Sequence, residues 1–248
     1  MLTDDQYRNN FCQNDRDMSW AGVAEEWNKL FLQGPEVVKV KKTEEGKLDV
    51  NTKDFWNKKY ANIIENERAG GTFVGELGLH KVISKLLPED GLIVDVGCDH
   101  GRLLQHLHDK YIGIGLTGID ISQTALDRAK QKVPVADFFL VDEKACDLPV
   151  NNVDVIVSLH TIEHLQKPEE YIKHWAKSLK EGGEIIIVVP LEDEYVEHVN
   201  VYNLGTCEEL AKKVAPDYEI KSRTMSAAYV GGPKQGQFGK EAIIRLFY

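Results

Sequence analysis

The chain has 248 residues, 42% of them apolar and 28% charged, with a formal net charge of −10. That composition belongs to a folded globular protein, excludes wholesale disorder, and argues against a long nucleic-acid partner, which would select a basic surplus. The longest apolar run, Ile185–Leu191, is far short of the ~20 residues of a spanning helix, so no membrane span is expected.

The first 70 residues are aromatic-rich, with Trp20, Trp27, Phe31, Phe55, Trp56 and Tyr60 around two helix-like pieces, about Trp20–Leu32 and Asp54–Glu67. Two readings stand for these aromatics: they pack the segment onto the rest of the chain, or some of them close over a site as a lid or substrate region. Residues 1–70 are therefore expected to form an N-terminal extension, and residues 71–248 a core. The lysine-rich stretch Glu36–Lys59 reads as a solvated surface. The acidic opening Met1–Asp5 lacks the apolar stretch of a secretory signal, which points to the cytoplasm. Cys12, Cys98, Cys146 and Cys207 are scattered with no C-x-x-C pair, which disfavours a zinc cluster.

From Leu92 onward short β-branched runs alternate with helical periodicity. Leu92–Val96 reads as a buried strand ending in the turn Gly97–Gly101, and Leu103, Leu104 and Leu107 mark a helix that runs toward Gly113. Leu116–Asp120 is the next strand, with Ser122 as N-cap of a helix bearing Ala125, Leu126 and Ala129. Phe138–Val141 and Val153–Leu159 follow as strands. Pro168 opens a helix carrying Ile172, Trp175 and Leu179 that Gly182-Gly183 is expected to end. Glu184–Val189 is the most apolar strand. Thr206 and Glu209 read as a capping box, and Glu219–Met225 and Ala242–Phe247 as closing strands around the loop Gly231–Gly239. Strands separated by helices require a parallel sheet covered on both faces, because the helix supplies the crossover. The last two strands have no helix between them. The expected fold is thus α/β, a Rossmann-like doubly wound, mostly parallel sheet with an antiparallel edge strand and a helical N-terminal extension.

Ligands of such sheets bind beyond the carboxyl ends of the strands. There, Asp95-Val96-Gly97-Cys98-Asp99-His100-Gly101 runs straight into a helix, with glycines that let a ligand approach backbone N–H groups. The spacing G-x-x-x-G differs from the G-x-G-x-x-G of dinucleotide enzymes. Asp120, ending the second strand, can accept two hydrogen bonds from a ribose diol, and Asp142-Glu143 after the third can meet an adenine amino group.

Taken in order, Leu92–Leu103, Gly118–Ser122 and Asp142–Leu165 resemble the class I S-adenosylmethionine-dependent methyltransferases. The run Val153–Leu165 and the turn Lys180-Glu181-Gly182-Gly183 before Pro190 are similar to the small-molecule branch of ubiquinone-biosynthesis and sugar methyltransferases. The likeness implies S-adenosylmethionine as cofactor; with the turn, the two acidic positions and the His160–His164 segment, a small-molecule acceptor methylated at oxygen is the expectation. The likeness also implies that Asp95 lies near the methionine portion, that Gly97, Cys98 and Gly101 give close backbone contact, and that Asp120 holds the ribose. Ile121 would pack on adenine, Asp142 and Glu143 would meet its edge, and Leu159 and His160 would line the floor near the methyl group. The family usually has glycine where Asp99 stands; Asp tolerates a left-handed backbone better than most residues, so the turn is expected to survive.

An alcohol or phenol acceptor must lose a proton, and a histidine suits that task. His160, His164 and His198, with Glu163, are the candidates beyond the fourth and fifth strands. His160-x-x-Glu163-His164 followed by His198 also resembles the metal-ligand set of the small-RNA terminal ribose methyltransferases, which carry Glu where His160 stands. The expectation here is that no metal is held. An RNA methyltransferase, a nicotinamide oxidoreductase and a cofactor-binding protein without turnover are the competing readings.

Overall fold

A computed structural model describes residues 52–68, 75–193, 197–228 and 238–248, all within one compact unit. The helix-like piece Trp20–Leu32 and most of the loop Gly231–Gly239 lie outside the described residues. In chain order the elements are α1 (Lys53–Arg68), α2 (Gly75–Ile83), β1 (Leu92–Val96), α3 (Arg102–Lys110), β2 (Gly115–Asp120), α4 (Gln123–Lys132) and β3 (Asp137–Leu140). There follow β4 (Val153–Leu159), a 3-10 turn (Ile162–His164), α5 (Pro168–Ala176), β5 (Leu179–Leu191), α6 (Leu204–Val214), β6 (Asp217–Ala228) and β7 (Phe238–Phe247).

The seven strands form one sheet in the order β3-β2-β1-β4-β5-β7-β6. β1 to β5 pair in parallel, with α3, α4 and α5 as helical crossovers and a helix-free loop from β3 to β4, whereas β7 is antiparallel to both β5 and β6. The antiparallel edge is as expected, with β7 inserted between β5 and the outermost β6. Side chains of one strand alternate between faces, and the core follows that period. Ile185, Ile187 and Val189 of β5 join Ile172 and Trp175 of α5 and Leu210 and Ala211 of α6 on one face. Ile186 and Val188 join Ile83, Leu104, Leu107 and Leu126 on the other. Trp175 is 2% exposed, so truncating it to Ala removes a large buried surface at about 3–5 kcal/mol.

Three local expectations are corrected. The helix after Pro168 ends at Ala176, not at Gly182-Gly183, because Leu179 already pairs with Val153 of β4. Those glycines sit inside β5, where the register against β4 shifts and Gly182 adopts φ 77. The capping box belongs to Asn203 and Thr206: the Asn203 side chain accepts from the Thr206 N–H at 2.9 Å, and Thr206 Oγ1 accepts from the Asn203 N–H. Asn203 stands first because its carboxamide oxygen reaches that N–H, which places Thr206 inside the helix rather than at its cap. Phe238 and Gly239 extend β7 rather than the loop before it. Ser122 caps α4 as expected, accepting from the Ala125 N–H.

Candidate active site

The carboxyl ends of β1, β2 and β4 open onto a cavity of about 360 Å³. Its floor begins at the β1–α3 turn. Gly97 has φ 76, and a Cβ there would lie 2.2 Å from Thr161 Oγ1, so the turn and the loop after β4 touch through a hydrogen atom only. Its N–H is bonded to the Ile119 carbonyl at 2.8 Å, which ties the turn to β2. Asp99 takes φ 53, the left-handed conformation expected of it. Its carboxylate is bound by both the backbone N–H and Nδ1 of His100, and Arg102 Nε donates to His100 Nε2 at 2.6 Å.

Two buried acids follow from the same strand ends. Asp120 Oδ1 accepts from the Ser122 N–H at 2.8 Å and Oδ2 from the Asp99 N–H at 3.0 Å, so one carboxylate joins the two turns. Burial outweighs those bonds and pushes its carboxyl up to about 7. Asp95 is pushed up to about 8, chiefly by burial and then by the neighbouring Asp120 and Asp99. The Cys98 thiol is raised for the same reasons. The site therefore stores acids that are readily held neutral until something cationic or hydrogen-donating arrives.

Asp95, Gly97, Cys98, Asp99, Asp120, Ile121, Asp142, Glu143, Leu159, His160 and His164 all line the cavity. Gly101 does not. It caps α3 at φ 78 with its Cα against Ala129 of α4, where an added Cβ would lie 2.9 Å from the Ala129 Cβ. His198 also stands back, its ring centroid 5.1 Å from that of His164. His164 and His198 each use Nδ1 toward a backbone carbonyl, of Glu197 at 3.0 Å and of Asp193 at 3.1 Å. Burial lowers both imidazoles, His164 to about 4. Glu163, 1% exposed, has no hydrogen bond on either oxygen and is pushed up to about 7 by burial. Ligand atoms of Glu163, His164 and His198 lie within 4.8 Å of one another, near enough to share a divalent cation.

The opposite wall comes from α1, which contributes Trp56, Lys59 and Tyr60. Trp56 stacks on Tyr60 and meets His164 edge-on at 5.0 Å. Polar contacts hold α1 to three loops. Lys53 N–H donates to Glu143 Oε2 at 3.0 Å, Asn57 Oδ1 accepts from Ser122 Oγ at 2.7 Å and the Thr124 N–H at 3.1 Å, and Lys59 pairs with Glu197. Sequence reasoning passes over Lys59, Arg102, Thr161 and Tyr171 in the lining, and over Glu241, whose Oε2 lies 3.1 Å from His160 Nε2. Glu241 is legible only as a lone acid entering an apolar run.

A parallel sheet with an inserted antiparallel β7, glycine turn after β1 and acid after β2 defines a class, the Rossmann-like methyltransferases. The chain belongs to the methyltransferase domain family, whose model matches residues 76–215. Phosphatidylethanolamine N-methyltransferase of Cereibacter sphaeroides is 29% identical over 104 residues, 40% of this chain and 50% of that protein. Ubiquinone biosynthesis O-methyltransferase of Idiomarina loihiensis is 30% identical over 105 residues, 39% of this chain and 42% of that protein. The chain thus spans about half the length of these curated relatives. Phospholethanolamine N-methyltransferase 2 of Haemonchus contortus, solved with phosphomonomethylethanolamine and S-adenosylhomocysteine, superposes with TM-score 0.62 at 16% identity, covering 78% of this chain and 60% of that one. It shares the fold.

S-adenosylmethionine is the cofactor of this family, and the residues fit it. The glycine at 97 lets the β1 turn and the loop after β4 close together at the cavity floor, Asp120 keeps lone pairs for a ribose diol, and Asp95 offers a buried carboxyl to a cationic amine.

Proposed function

We propose that the protein transfers a methyl group from S-adenosylmethionine to a hydroxyl oxygen of a small molecule. The observation that carries this reading is one cavity that joins the cofactor turn, Gly97–Gly101 with Asp120, to His160 and His164. The bound cofactor supplies an already activated methyl group, so the chain's task is alignment and proton removal. Asp95, Gly97, Cys98 and Asp99 hold the methionine end; Asp120 and Ile121 hold the ribose and adenine; Asp142 and Glu143 stand at the adenine edge. Trp56, Tyr60 and Leu159 exclude water from the transfer point. His160, on the cavity wall, takes the acceptor's proton, with His164 and His198 behind it shaping the wall. In this reading α1 serves as the lid expected of the N-terminal extension, and the formal charge of −10 leaves a long RNA as the poorer acceptor.

The test is calorimetry with S-adenosylhomocysteine followed by mass spectrometry of phenols, hydroxy acids and amines incubated with S-adenosylmethionine. Binding plus a 14-dalton gain on a hydroxyl compound is expected. Absence of binding overturns the whole reading; transfer confined to amines or to tRNA overturns its acceptor; binding without transfer to anything makes the chain a cofactor-binding protein.

A further inference from the structure

One buried side chain in the cavity wall has no part in the transfer described above. α2 turns Leu79 and Ile83 into the core, and His80 lies beside them, 5% exposed. An imidazole thus stands where an apolar side chain would pack, and a buried polar group is the informative exception in such a stripe. His80 lines the cavity, yet its Nδ1 is enclosed and has no hydrogen-bond partner. That orphan selects the tautomer. An enclosed N–H without an acceptor is rarer than an enclosed lone pair, so the proton belongs on Nε2, the nitrogen left to meet the cavity. Burial, with His106 of α3, Arg102 and His160 as charged neighbours, holds the ring down to about 4. The imidazole is therefore neutral. It does not take the acceptor's proton, and what it offers is one N–H.

We propose that His80 is a specificity-determining residue whose Nε2–H binds a carboxylate of the acceptor, so that the substrate class is a hydroxy acid methylated at its hydroxyl. The hydroxyl comes from the methyl-transfer reading, on which this assignment rests; the carboxylate is the new element. Two observations choose it. The three groups whose charge bears on His80 are all basic, and a guanidinium stays cationic at any working pH, so the field at that N–H favours an oxygen carrying negative charge. His160 is one of the three, and it is the residue set against the acceptor, which puts the donor on the acceptor's side of the cavity. A wall that holds out a single buried N–H discriminates well, because a substrate without the matching oxygen leaves the donor unpaired. The same logic accounts for an imidazole at this position. Unpaired, it weakens the fold of the empty protein, and binding supplies the partner.

Calorimetry of the full chain with the three isomeric hydroxybenzoates, their methyl esters and phenol, with and without S-adenosylhomocysteine, tests this. The isomers sample the spacing between hydroxyl and carboxylate, and each ester keeps the ring while removing the charge. At least one acid should bind the loaded wild type roughly tenfold or more tighter than its ester, the scale of one hydrogen bond to a charged group. His80→Phe should erase that preference. His80→Gln, whose amide offers an N–H at similar reach, should keep part of it. In His80→Phe the affinity for S-adenosylhomocysteine should stay within about twofold, as expected of separate sites, and Tm should hold or rise because an orphaned polar group leaves the core. A lower Tm with the acid preference intact would make His80 a packing residue and overturn the assignment. So would the lack of any acid-over-ester preference in the wild type. A tenfold loss of S-adenosylhomocysteine in His80→Phe, with methylthioadenosine unaffected, would give the N–H to the cofactor's own carboxylate and overturn it too. Failure of S-adenosylhomocysteine to bind the wild type overturns the methyl-transfer reading, while the acid preference of the empty chain still decides for or against His80.

Discussion

The two walls of the cavity are built on different principles. The sheet side is made of backbone. Gly97 and Cys98 both bond to the Ile119 carbonyl, Asp120 joins two turns, and Ile119 and Asp95 are 1% and 3% exposed. Moving any of these residues means moving β1 or β2, and the core on both faces resists that. The helical side is made of side chains. Trp56, Asn57, Lys59 and Tyr60 are half-buried, and α1 is held by a few hydrogen bonds and ring contacts. Each of those contributes on the order of 1 kcal/mol and exchanges readily with water. In the proposed reading the sheet fixes where a cofactor lies and the helix gates its entry and exit.

The contrast is most sharply broken at Gly97. Gly97→Val places a branched side chain at φ 76 and against Thr161, so Tm should fall by more than about 5 °C and S-adenosylhomocysteine binding should vanish in calorimetry. Next comes Asp120→Ala, for which a loss of roughly a hundredfold in affinity is expected from the missing charge-assisted bonds, with Asp120→Asn losing less. A loss below threefold would remove Asp120 from the ribose site.

A pH series separates empty from loaded protein. Asp95 and Asp120 have folded-state values raised to about 8 and about 7, so the native chain binds more protons than the unfolded one across the interval above the ordinary carboxylate range. Their contribution to stability is complete below pH about 4 and is lost as pH rises through 7 to 8. Tm of the empty protein, followed by calorimetry from pH 5.5 to 8.5, should therefore decline through this part of the range. Affinity for S-adenosylhomocysteine, which carries a cationic amine, should rise over the same interval as the two acids ionise. Opposite slopes are the signature; parallel ones would place the amine away from Asp95.

The smallest effects belong to the helical wall. Trp56→Ala should weaken S-adenosylhomocysteine less than about tenfold with little change in Tm, because the residue is half-buried. Asn57→Ala should leave affinity nearly intact yet speed amide exchange across residues 53–62 by roughly fivefold, the equivalent of about 1 kcal/mol, as the Ser122 and Thr124 bonds are lost.

Much of this was legible in the residues themselves, and the exceptions share a cause. Strands β1, β4 and β5 announce themselves as β-branched runs because they are buried on both faces, and Ser122 and Asp120 carry meaning in their local spacing. Asp99 reads correctly as a left-handed residue for the same local reason. What sequence spacing conceals is whatever depends on pairing between distant segments. The end of α5 is set by Leu179 meeting Val153, and the partner of His160 arrives 81 positions later on β7. Glu241 stands opposite Pro190 across the β5–β7 ladder, and its local signature, a lone acid entering an apolar run, says nothing of His160.

The inserted β7 also dictates an order of assembly. β6 is synthesised first, yet its hydrogen-bonding partner in the sheet is β7, so β6 has no edge to join until the strand that follows it has docked on β5. A nascent chain halted before residue 238 would thus hold five parallel strands with the edge of β5 bare and a β6 segment with nowhere to pair.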